Sequence, residues 1–200
     1  MLAGIQLTNN PDIADILVIN TCIVKEPTEK KIERIISDLQ KKFKNKPIII
    51  AGCMPEVREF KEKNTYLLGI HHIKEISKLI RKILEKRYDK KEFLSNANEE
   101  KLLTGKIPAR KEVGITQISE GCLGNCSFCI TKLAKGKLFS YPEEKIIENI
   151  QNDLSSGARE IWLTSQDNAA YGLPEKRKFL ELLKRILQLK GRFLVRLGMM

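Results

Sequence analysis

Two hundred residues, 42% of them hydrophobic, can bury one compact core or two small ones, and no run approaches the roughly eighteen apolar residues of a membrane-spanning helix. The opening Met1–Leu7 lacks the charged start and long apolar stretch of a signal peptide, so no membrane partner is expected. A formal charge of +11 points towards a polyanion such as nucleic acid, and five cysteines without an export signal argue for metal ligation in a reducing cytoplasm rather than for disulfides.

Met1–Leu7 carries no cap or strand signal and reads as the tail of a helix whose start is missing. The first clear strand is Ile16–Asn20, a continuous apolar run of the buried parallel kind, and Cys22 follows two residues after its end. A helix is predicted next, with Pro27 in its first turn and Ile32, Ile35, Ile36, Leu39 and Phe43 at helical spacing. A second buried strand, Ile48–Ala51, runs into Gly52-Cys53; a third, Thr65–Ile70, leads to a helix carrying Ile73, Ile76, Ile80, Ile83 and Leu84. This alternation predicts a parallel sheet with right-handed crossovers. Parallel strands end on one side, so Cys22 and Cys53 should share a rim, the edge where ligands bind in such sheets. They are either small apolar fillers there or ligands to a common group.

From Arg87 to about Arg110 the pattern dissolves into charged and polar residues, which reads as a connector. The expected organisation is an N-terminal domain over 1–86, a linker over 87–111 and a second domain over 112–200. The second domain restarts with strand Val113–Ile118. A helix begins at Pro142, with Ile146, Ile147, Ile150 and Leu154 on one face and Gly157 as its stop. Strand Glu160–Thr164 follows, then a helix from Pro174 through Phe179, Leu182, Leu183, Ile186 and Leu187, then strand Phe193–Leu197. Three strands and two helices in strict alternation are the start of a (β/α) barrel; alone they leave an exposed edge, so the chain is expected to end inside a larger one.

Between the first of these strands and Tyr141 lie Cys122, Cys126 and Cys129 at CxxxCxxC spacing. A structural zinc site wants four ligands, and three thiolates here would need Cys22 or Cys53 as a fourth. A thiolate-held 4Fe–4S cluster has four irons, so three cysteines leave one iron open to something other than protein. The loop stands at the C-terminal end of a barrel strand, as Ser165-Gln166-Asp167 does after the next one, and catalytic groups of barrels sit there. For that second stretch, strand-end turn chemistry is the alternative.

The CxxxCxxC loop resembles that of the radical S-adenosylmethionine (SAM) enzymes, and Phe128, the aromatic before the last cysteine, matches too. The resemblance implies a radical SAM partial barrel in which the open iron chelates the methionine part of SAM. The reduced cluster then cleaves the sulfonium to a 5′-deoxyadenosyl radical, with Phe128 near the adenine. Asn20-Thr21-Cys22 and Ala51-Gly52-Cys53 extend the likeness to the methylthiotransferase family, in which these cysteines help to hold a second 4Fe–4S cluster. The remaining ligand of that cluster lies upstream of where this sequence begins. The family also completes its barrel beyond Leu197-Gly198-Met199-Met200 and adds a small RNA-binding domain, so the chain reads as a fragment or as half of a split protein needing a second chain.

Ser119–Cys126, Thr131–Gly136 and Ile161–Asp167 followed by Tyr171-Gly172 are most similar to the archaeal and eukaryotic type, with Asn168-Ala169-Ala170 as a small departure. That type converts N6-threonylcarbamoyladenosine, at position 37 beside the tRNA anticodon, to its 2-methylthio derivative. The implied roles are cluster and SAM cleavage for Cys122, Cys126 and Cys129, the second cluster for Cys22 and Cys53, and SAM contacts for Phe128, Ser165, Gln166 and Asp167. The implied partners are the tRNA anticodon stem-loop, an electron donor and a sulfur donor. Lys132, Lys135 and Lys137, with Tyr141 and Phe139 close by, suit an RNA backbone and a splayed base, or are a solvated loop. Other readings are a methylthiotransferase acting on another modified adenosine or a ribosomal protein, and a non-catalytic metal- and RNA-binding fragment. His71-His72 read as a helix entry.

Overall fold

A computed structural model of the chain describes residues 4–24, 26–88, 93–94, 100–104, 110–173, 175–176 and 178–199. Two compact units emerge, one formed by residues 1–99 with 126–135, the other by 100–125 with 136–200. Segment 126–135 therefore packs with the first unit, although the sequence expectation placed it in the second.

In the first unit β1 (Leu17–Thr21), α1 (Glu26–Lys42), β2 (Ile48–Gly52), β3 (Thr65–Gly69) and α2 (Ile76–Leu84) follow in order. The strands form a parallel sheet, β1-β2-β3, aligned from Leu17, Ile48 and Thr65 to Thr21, Gly52 and Gly69. Every residue of the central β2 is buried, as its unbroken apolar run demands. Alternation splits it between two cores. Ile48 and Ile50 pack with Leu17, Leu67 and Ile36 of α1, while Ile49 and Ala51 pack with Leu68 and with Leu79 and Ile83 of α2. Acidic residues in the first turn of α1 and lysines in its last complement the helix dipole. Ile35 falls outside the buried stripe of α1 and is exposed. Ile73 belongs not to α2 but to a 3₁₀ turn, Ile70–Glu75, that precedes it.

Most of the expected connector (89–92, 95–99 and 105–109) lies outside the described residues, as do the first three residues, Pro174 and Met200. Phe93 is nonetheless buried in the first unit, where its carbonyl accepts the Gly69 N–H at 2.8 Å.

The remaining elements are β4 (Val113–Gln117), β5 (Ser119–Glu120), α3 (Thr131–Lys135), β6 (Phe139–Ser140), α4 (Glu143–Ser155), β7 (Glu160–Thr164), α5 (Phe179–Leu187) and β8 (Leu194–Leu197). The expected alternation is borne out: β4, β7 and β8 form a parallel sheet in that order. Ile161 and Leu163 face Ile146 and Ile150 of α4 and Leu182 and Ile186 of α5 in one core. On the opposite face Ile115 and Leu194 are exposed and the Arg196 guanidinium lies 4.5 Å over the Trp162 ring. β5 and β6, an antiparallel pair in a separate sheet, were not legible in the sequence.

Ile50→Ala, which empties a methylene-rich site in the central strand, should destabilise the first unit by about 2–5 kcal/mol in denaturant unfolding. A loss under about 0.5 kcal/mol would mean that β2 is not the centre of that core.

Candidate functional site

At the C-terminal rim of the first sheet, two cysteines leave neighbouring strands at the same level, because Thr21 is paired with Gly52. Cys22 is half-buried and Cys53 buried. The Thr21 hydroxyl ties the two strand ends together: it donates to the Ala51 carbonyl at 2.7 Å and accepts the Met54 N–H at 3.1 Å. Gly52, at φ +100°, permits the turn into Cys53; a Cβ there would lie 2.6 Å from the Thr21 carbonyl oxygen. Cys53 and Met54 share a core with Ile23, with Ala134 of α3 and, at its margin, with Ile130. The segment that follows Cys129 thus seats against the rim carrying Cys53. His71, on the 3₁₀ turn after β3, is buried, and the His72 imidazole meets the Glu75 carboxylate, which this contact holds below the usual carboxylate range.

The second unit holds the stem of the cysteine loop. Ser119 pairs with Ser140 and Glu120 with Phe139, so β5 and β6 bring the two ends of the loop together. Gly121 stands at φ +70°, where a Cβ would collide with the Lys137 carbonyl, and the Cys122 N–H reaches the Gly136 carbonyl at 3.4 Å. Under the stem the Glu120 carboxylate is buried, held by Lys101 at 2.6 Å and by the Tyr141 hydroxyl, which donates to it at 2.5 Å. Burial, with the Glu120 charge beside it, pushes the Tyr141 phenol far above its ordinary value. Tyr141 is fully buried. That corrects the expectation that it binds RNA: a ring closed inside the core, its hydroxyl spent on Glu120, has no face for a base. Lys137 is exposed, and in the first unit Lys132 and Lys135 of α3 are half-buried.

Cys122 and Cys129 are half-buried, Cys126 is exposed, and Phe128 is 88% exposed. The Gly124 N–H donates to Cys122 Sγ at 3.2 Å. Cys126 and Cys129 share a turn closed by a 3.0 Å backbone hydrogen bond. Among the described residues no three His, Cys, Asp or Glu side chains converge on a point that could hold a single ion. The donor types, three thiols on one loop, are those that hold iron–sulfur clusters.

At the end of β7, Ser165 donates to Asn168 Oδ1 at 2.7 Å and accepts the Asp167 N–H at 3.1 Å, while Asp167 accepts the Ala170 N–H at 3.3 Å. These two side chains build the turn. Asn168, buried and bonded to the Leu163 carbonyl, is its hub and was missed in the sequence, although an Asn three residues before a Tyr-Gly pair is a turn signal. Gln166 differs. Its Oε1 is shielded from solvent and meets no hydrogen-bond partner among the described residues, which fits an acceptor waiting for a polar ligand.

Residues 1–69 match the family model described as "Uncharacterized protein family UPF0004". The chain is 36% identical over 98% of its length to the probable threonylcarbamoyladenosine tRNA methylthiotransferase of Methanocaldococcus jannaschii, of which it covers 46%. It is 36% identical over its full length to that of Pyrococcus abyssi (47% covered) and 32% identical over 86% to that of Danio rerio (32% covered). The chain is thus similar, over nearly its whole length, to proteins named threonylcarbamoyladenosine tRNA methylthiotransferases. It spans about half the length of its curated archaeal relatives. Among solved structures, the radical SAM methyltransferase TsrM of Kitasatospora setae, with tryptophan and a SAM analogue, superposes at a TM-score of 0.60. The superposition covers 87% of this chain and 40% of TsrM at 14% identity, so the fold is shared. TsrM with cobalamin and a [4Fe-4S] cluster gives 0.55. The methylthiotransferase likeness thus covers both the Cys22/Cys53 rim and the CxxxCxxC loop.

Two outcomes follow from the stem. Gly121→Ala should lose most iron uptake in anaerobic reconstitution, whereas Gly136→Ala, also at positive φ but with open space around it, should keep it at a cost of about 1–2 kcal/mol. Equal uptake by both variants would separate the stem from the cysteines. The unfolded phenol ionises near its ordinary value of 10.0 while the folded one stays protonated, so stability is full below that pH and falls above it. The slope is up to about 1.4 kcal/mol per pH unit, and Tyr141→Phe should abolish it in urea melts between pH 9 and 11.

Proposed function

We propose that the chain is part of a cytoplasmic tRNA methylthiotransferase that converts N6-threonylcarbamoyladenosine at position 37 to its 2-methylthio derivative. Its strongest support is the 36% identity over 98% of the chain to an archaeal protein of that name. Residues 1–86 make up the N-terminal domain, 87–111 the connector and 112–200 the beginning of the radical SAM domain. Its partners are the tRNA anticodon stem-loop, an electron donor, a sulfur donor and the remainder of the enzyme. No helix among the described residues is long and apolar enough to cross a membrane.

Cys122, Cys126 and Cys129 would hold a 4Fe–4S cluster, and Cys22 and Cys53 would contribute to a second. The adenine C2–H bond is neither acidic nor electrophilic enough for acid–base chemistry, and the bound cluster and SAM supply the one-electron chemistry that it requires. The chain's own residues position. Gly121 and the β5–β6 stem set where Cys122 leaves the sheet, and the Gly124 N–H steadies its sulfur. Gln166 offers its shielded acceptor to SAM, on a turn that Ser165, Asp167 and Asn168 keep rigid. Phe128, exposed, is available to an adenine ring. Thr21 and Gly52 keep Cys22 and Cys53 side by side.

Mass spectrometry of tRNA nucleosides tests the substrate: a strain lacking the gene should lose 2-methylthio-N6-threonylcarbamoyladenosine and accumulate the unmethylthiolated nucleoside. Unchanged levels would remove that substrate. Cys126→Ala should abolish 5′-deoxyadenosine formation from SAM while circular dichroism shows an intact first unit; retained cleavage would overturn the ligand assignment.

A further inference from the structure

The end of the first unit opposite the Cys22/Cys53 rim is strongly basic. Lys41 and Lys42 close α1, Lys44 and Lys46 follow in the loop to β2, and Lys61 and Lys63 stand in the loop that enters β3. The two loops are joined: the Asn64 side-chain amide donates to the Lys44 carbonyl, Gln40 Nε2 donates to Thr65 Oγ1 at 3.0 Å, and Lys44 and Lys63 line one depression of about 180 Å³. Two of the six ammonium groups are engaged. Lys46 is held by the carbonyls of Pro11 and Asp12 at 2.8 and 2.7 Å, and Lys42 by the Asp12 carboxylate at 3.0 Å. Among the described residues, Lys41, Lys44, Lys61 and Lys63 are exposed and meet no carboxylate within ion-pair distance, with Glu62 the acidic residue between the last two. Like charges gathered on one surface repel, and an approaching polyanion relieves that repulsion while releasing its own counterions.

We infer that this lysine surface grips the sugar–phosphate backbone of a structured RNA, at a place remote from the cysteine rim. It deepens the tRNA reading proposed above and rests on it. Lysine is a flexible point charge that matches phosphates without reading bases. The nearby aromatic, Phe43, is half-buried in the core beneath Lys42 and Lys46 and does not offer a stacking face. The surface therefore holds a stem without reading its sequence. Strands of five residues rise about 17 Å, so a stem held here extends well away from any base presented at the opposite rim.

The test is fluorescence anisotropy of the whole chain, prepared without clusters or SAM, with a labelled 17-nucleotide RNA hairpin from 50 to 200 mM KCl. Lys44→Ala/Lys63→Ala should weaken binding on the order of tenfold at the lowest salt and reduce the slope of log K against log salt by about two. Lys184→Ala/Lys190→Ala, which removes the same charge from exposed positions of the second unit, should leave the slope within half a unit of the parent. Equal effects of the two pairs, no effect of the first pair, or binding to vesicles with 30% phosphatidylserine in preference to the hairpin would each overturn the inference. None of these results bears on methylthiolation, which is read from cellular tRNA; conversely, an unchanged nucleoside profile leaves this binding measurement standing.

Discussion

The approach of the Lys137 carbonyl to Gly121 fixes the cysteine loop. No side chain fits between them, and the left-handed backbone at residue 121 turns the chain out of the sheet just before Cys122. Two antiparallel residue pairs then clamp the loop's ends, and a buried carboxylate held by Lys101 and Tyr141 anchors the clamp from beneath. A loop of this length closed at so short a stem would otherwise sample many shapes; the stem confines its first cysteine without using a side chain of the loop. Removing Lys101 would take a cation from 2.6 Å beside the buried Glu120 carboxylate, and breaking such a pair costs more than the pair itself contributes.

The same device recurs at the other cysteine rim. Gly52 precedes Cys53 as Gly121 precedes Cys122, each at positive φ and each against a backbone carbonyl. Each glycine stands where a strand ends, Gly52 in the parallel sheet and Gly121 after the antiparallel β5, so the backbone, more than side-chain packing, sets where the sulfur emerges. The division into two units cuts the CxxxCxxC segment after Asn125: Cys122 belongs to the second unit, while Cys126 and Cys129 belong to the first, together with Cys22 and Cys53.

Much of the fold was legible because burial writes itself into composition. Ile48–Ala51 could only be a strand covered on both faces, and Pro142 and Gly157 bracket α4 as start and stop signals do. Cysteines placed just past strand ends followed from the same reading. What escaped was set by long-range partners. β5 and β6 have two residues each, too short for a period to register. Tyr141, next to a lysine cluster in sequence, looked like a surface aromatic, and only its pairing with Glu120, twenty-one residues earlier, draws it inside. Ser165 and Asp167 read equally well as ligands and as turn formers; Asn168, buried at the hub, assigns their hydroxyl and one carboxylate oxygen to the turn and leaves Gln166 as the acceptor without a partner.

The proposed chemistry requires a cluster, held by Cys122, Cys126 and Cys129, with one iron open to SAM. Pulsed electron paramagnetic resonance of the anaerobically loaded, dithionite-reduced chain, with SAM carrying ¹⁷O in its carboxylate, measures this most directly. The account predicts a hyperfine coupling between the label and the cluster that disappears in Cys122→Ala. A reduced cluster whose spectrum is indifferent to labelled SAM at saturating concentration would contradict it.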